Sequence, residues 1–166
     1  EKLVAGLGEV YEVMNTNIKR WSVGSPIQAP LDALLLLLEE HPFRADDVVR
    51  LSVRVSHQGA NTTNNRAMPD ICMQHLCAIM VLDGTVSFKS AHDVARMKDP
   101  AVLKQRAKVA LVHDKDLQKL MPARVAIVEI ALADGQMLSQ RIDAVRGTAK
   151  NPMGHDEIVA KATDLI

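Results

Sequence analysis

The chain is poor in aromatic residues: two Phe, one Trp and one Tyr among 166. At this length roughly 70% of the surface exposed by an unfolded chain can be buried. The core must therefore be built from Leu, Val, Ile, Ala and the eight Met. The same scarcity excludes the stacking platforms that single-stranded nucleic acid requires. An excess of one charge is also missing. Twenty Lys and Arg balance twenty Asp and Glu, which leaves no net basic footprint for a phosphate backbone. Long apolar runs are absent too. Residues 33–38 form a run of six closed by Glu39 and Glu40, and residues 76–82 one of seven closed by Asp83, against the ~20 that cross a bilayer. No basic stretch leading into an apolar one stands at the start, so nothing points to export. Cysteine is limited to Cys72 and Cys77. Five residues apart in a segment of helical period, they lie about 140° apart around the axis. They form neither a disulfide framework nor a CxxC metal knuckle, so buried, inert thiols and a reducing, cytoplasmic setting are expected.

What is present reads as one globular domain, with 48% hydrophobic and 24% charged residues. The pattern suggests a short strand over 10–14, a turn over 15–17, and a helix opened by Pro26 or Pro30 and running to about His41, because proline is tolerated in a first turn. Residues 46–55 form the clearest strand: Val49, Leu51, Val53 and Val55 alternate with Arg50, Ser52 and Arg54, giving one apolar and one cationic face. A polar loop is expected over 56–68. Pro69 opens a second helix with Cys72, Leu76 and Ile79 in its buried stripe, ended by Asp83 and Gly84. Asp99 and Pro100 start a third helix, to about Lys108, followed by a strand over 109–112 and a charged turn. Residues 124–133 and 136–145 are strand-like runs joined by Asp134 and Gly135, a pair suited to a type I′ hairpin turn. A Gly/Pro loop over 146–153 leads into a last helix.

Strands in a hairpin, with helices grouped between them rather than alternating, indicate an α+β two-layer sandwich: a mostly antiparallel sheet with helices packed on one face. A doubly wound parallel sheet is the alternative, but no Gly-rich phosphate motif follows any strand. The chain opens without Met and in helical period, and its last helix simply stops, which suggests a piece of a longer protein.

The six histidines, at 41, 57, 75, 92, 113 and 155, include no pair at i, i+4 and no HExxH, so no metal is expected. His75 falls at helical spacing from Cys72 and Ile79 and reads as a core residue. No GxSxG nucleophile elbow is present. Cations and amides instead concentrate in irregular segments: Lys19, Arg20, Gln28, Arg66, Lys89 and Arg146, with Asn61, Asn64 and Asn65. Loops carried by a rigid sheet commonly hold binding groups. Arg pairs carboxylates bidentately and Lys offers a point charge that can exchange a proton, so these side chains fit a small polycarboxylate. Taken singly, each reads rather as a solvated surface charge.

The run Asn17, Ile18, Lys19, Arg20, Trp21, Ser22, Val23, Gly24, Ser25, Pro26, Ile27, Gln28, Ala29, Pro30, Leu31, Asp32, Ala33 resembles the opening of the C-terminal domain of the MmgE/PrpD family. That family includes 2-methylcitrate dehydratase, cis-aconitate decarboxylase and iminodisuccinate epimerase. The resemblance continues in Asn65-Arg66, in Pro69 through Gln74-His75-Leu76, and in Val81-Leu82-Asp83-Gly84. Asp99-Pro100, Lys108-Val109, Asp134-Gly135 and Arg146-Gly147 to Asn151-Pro152 follow in order, so that residues 9–166 are covered.

The resemblance implies a larger all-helical domain preceding this one, an active site in the cleft between the two, and this domain as a lid, in a homodimer. It further implies metal-free and cofactor-free chemistry on a small di- or tricarboxylate. The shared step is movement of a proton α to a carboxylate, followed by loss of water or CO2 or by re-protonation. Residue by residue, Lys19 matches the family's active-site lysine, which pairs a substrate carboxylate, or moves a proton if burial brings its pKa toward neutrality. Arg20 fills the next position. Gln28 stands where several members have His and where methylcitrate dehydratases have Gln. Gly24 stands where the decarboxylase has a His, which turns the reading toward a dehydratase-like lyase. His57 and Arg66 bound the stretch from which another side chain reaches the cleft, and both are expected to bind substrate. The isolated piece is expected to be inactive. A non-catalytic α+β ligand-binding or dimerisation module is the competing expectation.

Overall fold

The computed structural model describes Gly6, Gly8, Glu9, Tyr11 and residues 16–166. The strand read over 10–14 lies, Tyr11 apart, outside the described residues, as does Asn15 of the turn after it. Pro26 sits in a 3-10 turn, Ser25–Ile27, that leads directly into helix α1, Gln28–Glu40. Pro30 is thus accommodated in the first turn of α1, where its missing N–H costs nothing. Leu31, Ala33, Leu34 and Leu37 are fully buried. The helix stops at His41, which is extended at φ −131° and ψ 111°, because Pro42 disfavours helical geometry in the residue before it.

Four strands follow: β1 (Val48–Ser56), β2 (Val109–Asp114), β3 (Ala126–Leu132) and β4 (Met137–Ile142). They form one sheet in the order β2-β1-β3-β4. The β1–β3 and β3–β4 pairings are antiparallel, and β1–β2 is parallel. The architecture is therefore α+β with a mixed sheet in which antiparallel pairing predominates. The parallel pair needs a crossover. It is supplied by α2 (His57–Thr63), α3 (Met73–Asp83), α4 (Phe88–His92) and α5 (Pro100–Arg106). Helices α6 (Lys115–Lys119) and α7 (His155–Asp164) complete the set. Leu51, Val53 and Val55 of β1, Val128 and Ile130 of β3, and Leu138 and Ile142 of β4 join α1 and α3 in one core.

Three local expectations are corrected. Val49, assigned to the apolar face, is 59% exposed and Val48 is buried in its place. The register shifts between Val48 and Arg50, and an irregularity of one residue reverses the alternation ahead of it. The polar loop over 56–68 contains a helix, α2. Ser56 Oγ accepts a hydrogen bond from Gly59 N at 3.1 Å and caps its start. Arg66 closes its end by donating to the carbonyls of Asn61 and Thr62, both at 2.7 Å. The hairpin forms where expected, but not with a type I′ turn. Gly135 has φ +90°, whereas Asn65 is the described non-glycine residue with positive φ, so Asp134 does not adopt it. Gly135 N donates to Leu132 O and Leu132 N to Gln136 O, which describes a turn closed by a glycine bulge.

Both thiols are free and buried, and burial pushes that of Cys77 far up from its ordinary range, with the neighbouring Cys72 adding to the effect. His75 is fully buried, as a core position requires. Among the described residues no helix is long and apolar enough to cross a membrane.

Candidate functional site

The segment that carries Lys19 is held from four directions. Gln28, buried on α1, accepts from Trp21 N at 3.1 Å and donates to the carbonyls of Trp21 and Val23 at 2.8 and 3.2 Å. One turn further along α1, the buried Asp32 accepts from the Trp21 indole Nε1 at 2.9 Å and from Arg146 N at 2.8 Å. Burial raises the Asp32 pKa above its usual carboxylate value, opposed by these two hydrogen bonds and by the charges of Arg20 and Arg146. From α7, Lys161 Nζ donates to Ser22 Oγ and to the carbonyl of Arg20. Finally, Ile18 N donates to Gly147 O at 2.9 Å. Gly147 has φ +92°, and a Cβ there would overlap the Ile18 carbonyl oxygen. Only glycine allows this approach.

These braces set the Lys19 segment against the two loops that flank the β3–β4 hairpin. Because β3 and β4 are antiparallel, with Ala126 opposite Ile142, the residues before β3 and after β4 emerge side by side. Together they line an open cleft of about 690 Å³, within the range of small-molecule sites. Its charged lining is Lys19, Arg124, Asp143, Arg146 and Lys150, and Gln28 lines it too. Four cations to one anion is a marked local departure in a chain whose charges balance.

Not all of these charges are available. Arg146 donates Nε and Nη2 to the Glu157 carboxylate and Nη1 to Asn151 Oδ1. That guanidinium, followed by the hydrogen bond from Gly154 N, holds Glu157 down at a pKa of about 2. Asp143 is chelated by Arg141, and its pKa is lowered accordingly. Lys19 Nζ donates to Val23 O at 3.2 Å and is otherwise exposed. The described residues therefore do not bury the Lys19 ammonium, as proton transfer near neutral pH would require.

Of the residues singled out in the sequence, Lys19, Gln28 and Arg146 meet in this cleft, and Arg20, His57, Arg66, Lys89, Asn61, Asn64 and Asn65 are outside its lining. Arg20 lies with its guanidinium 4.9 Å from the centroid of the Trp21 ring. His57 opens α2, with Nδ1 3.2 Å from Nδ1 of His113 and Nε2 2.9 Å from Asn61 Nδ2. Arg66 caps α2 as described above. Among the described residues no group of three or more His, Cys, Asp or Glu is placed to hold a metal ion. Sequence reasoning passed over Arg124 and Lys150. The hairpin signal could have found them, since it forces the loops at its open end together.

Most of the arrangement lies in a recognisable domain. Residues 21–166 match the MmgE/PrpD C-terminal domain. The match takes in Gln28, His57 and Arg66 and begins two residues after Lys19. No curated protein matches the chain. With nearly all of its length covered by that domain, the chain belongs to the MmgE/PrpD family.

Proposed function

We propose that this domain is the lid of a lyase or isomerase that moves a proton α to a carboxylate of a small di- or tricarboxylate, in the manner of 2-methylcitrate dehydratase. The observation that carries the reading is the cleft in which Lys19 stands with Arg124 and Lys150, cations that no anion neutralises among the described residues. A carboxylate entering it meets charge-assisted hydrogen bonds rather than a fully solvated surface. In this reading a helical domain preceding the lid supplies the second wall and the main base. Closure of that wall brings Lys19 against the substrate, where its ammonium pairs a carboxylate or exchanges a proton. Gln28 holds the lysine's segment in place by its bonds to the backbone of Trp21 and Val23. The assembly would function as a homodimer.

The test is proton exchange in the complete protein. Hydroxylated di- and tricarboxylates incubated with it in D2O are expected to lose the NMR signal of the hydrogen α to a carboxylate for at least one acid. This readout covers dehydration and epimerisation, and decarboxylation shows instead as deuterium delivered from the solvent into the product. Absence of both exchange and turnover across the panel, with the protein folded, would defeat the proposal. Tight, saturable binding of such acids by the isolated domain would favour a non-catalytic binding module.

A further inference from the structure

The cations of the cleft come from separate parts of the chain. Lys19 comes from the segment ahead of α1, while Arg124 and Lys150 come from the loops before β3 and after β4. Arg146 and Asp143, the other charged groups of the lining, are already satisfied by Glu157 with Asn151 and by Arg141. The sole partner of the Arg124 side chain among the described residues is Met121 Sδ, at 3.6 Å, and a thioether is a weak acceptor. Lys150 has no partner among the described residues and is exposed. A guanidinium with five donors and an ammonium with three thus face the cleft almost unspent. The guanidinium fork matches a carboxylate bidentately, and the ammonium adds a point charge beside it.

We infer that Arg124 and Lys150 anchor a second anionic group of the ligand, apart from the one that Lys19 meets, and so determine that the site selects polycarboxylates over monocarboxylates. This inference rests on the functional reading above and assigns specificity within it. Neither side chain is buried or engaged in the braces that fix the Lys19 segment, so replacing them removes charge without dismantling the cleft.

The experiment is calorimetric titration of the complete protein with citrate, succinate and butyrate, in the wild type and in the double variant Arg124→Gln, Lys150→Gln. Loss of charge-assisted hydrogen bonds is expected to weaken citrate binding about tenfold or more. Succinate, which also carries a second carboxylate, should weaken comparably, and butyrate binding should not change. The dependence of citrate affinity on salt should flatten in the variant. Wild-type citrate affinity in the double variant, or equal losses for citrate and butyrate, would overturn the assignment and leave the functional reading standing. Failure of the wild type to bind any of the three acids would overturn both.

Discussion

Replacing His75 by Leu is expected to stabilise the chain, and to do so more strongly at pH 5 than at pH 8. His75 is fully buried in the first turn of α3, and neither ring nitrogen has a hydrogen-bond partner among the described residues. An unmade hydrogen bond at a buried polar group costs about 1–3 kcal/mol. Leucine is similar in size and carries no polar atom, so a gain of that order is expected at pH 8. The pH dependence comes from linkage. Burial, reinforced by the charges of Arg106 and Arg96, lowers the His75 pKa from 6.5 to about 4. Between these values the unfolded chain binds a proton that the folded chain refuses, so stability falls as the pH falls. At pH 5 this amounts to about 2 kcal/mol, and the leucine variant is free of it. Urea unfolding of both proteins at pH 5 and pH 8 measures the difference. An unchanged pH 5 to pH 8 difference in the variant would mean that the imidazole is not held neutral by burial, and would refute the reasoning.

Two further substitutions probe the braces of the cleft. Gly147→Ala combines a positive φ with overlap of the Ile18 carbonyl, and should destabilise the chain by about 1–3 kcal/mol or more; a melting temperature within a degree of wild type would argue against the close approach. Asp32→Ala leaves the Trp21 indole N–H and the Arg146 backbone N–H without their shared acceptor. It is expected to cost about 1–3 kcal/mol for each donor left buried and to shift Trp21 fluorescence to the red as the indole gains access to water. Because Trp21 is the chain's single tryptophan, unchanged emission would show that Asp32 does not hold it.

Much of this fold was legible because local signals and global packing agreed. The alternation of Leu51, Val53 and Val55 marked β1, Asp99 and Pro100 marked the start of α5, and Asp134-Gly135 marked the hairpin. Where a local signal was absent, the reading failed for identifiable reasons. Helix α2 is built from Gly, Asn and Thr, which are poor helix formers. Its cap at Ser56, the closure by Arg66 and the burial of Gly59, Ala60 and Thr63 are tertiary facts. The irregularity before Arg50 leaves no compositional trace, so Val49 was placed on the wrong face. The cleft shows the same division. Lys19 and Gln28 stood out through the family resemblance, although the three bonds of the Gln28 amide to Trp21 and Val23 emerged only from the structure. Arg124 and Lys150 became visible once the hairpin brought residues more than twenty positions apart to one wall.

The central claim is that the cleft carrying Lys19 is where a carboxylate substrate is processed. Its most direct test is steady-state turnover of the complete protein on its best di- or tricarboxylate, wild type against Lys19→Ala. The predicted result is a loss of about a hundredfold or more in kcat/KM, the contribution expected of a positioned acid–base group, with the fold retained by circular dichroism. Wild-type turnover in the Lys19→Ala protein would contradict the account.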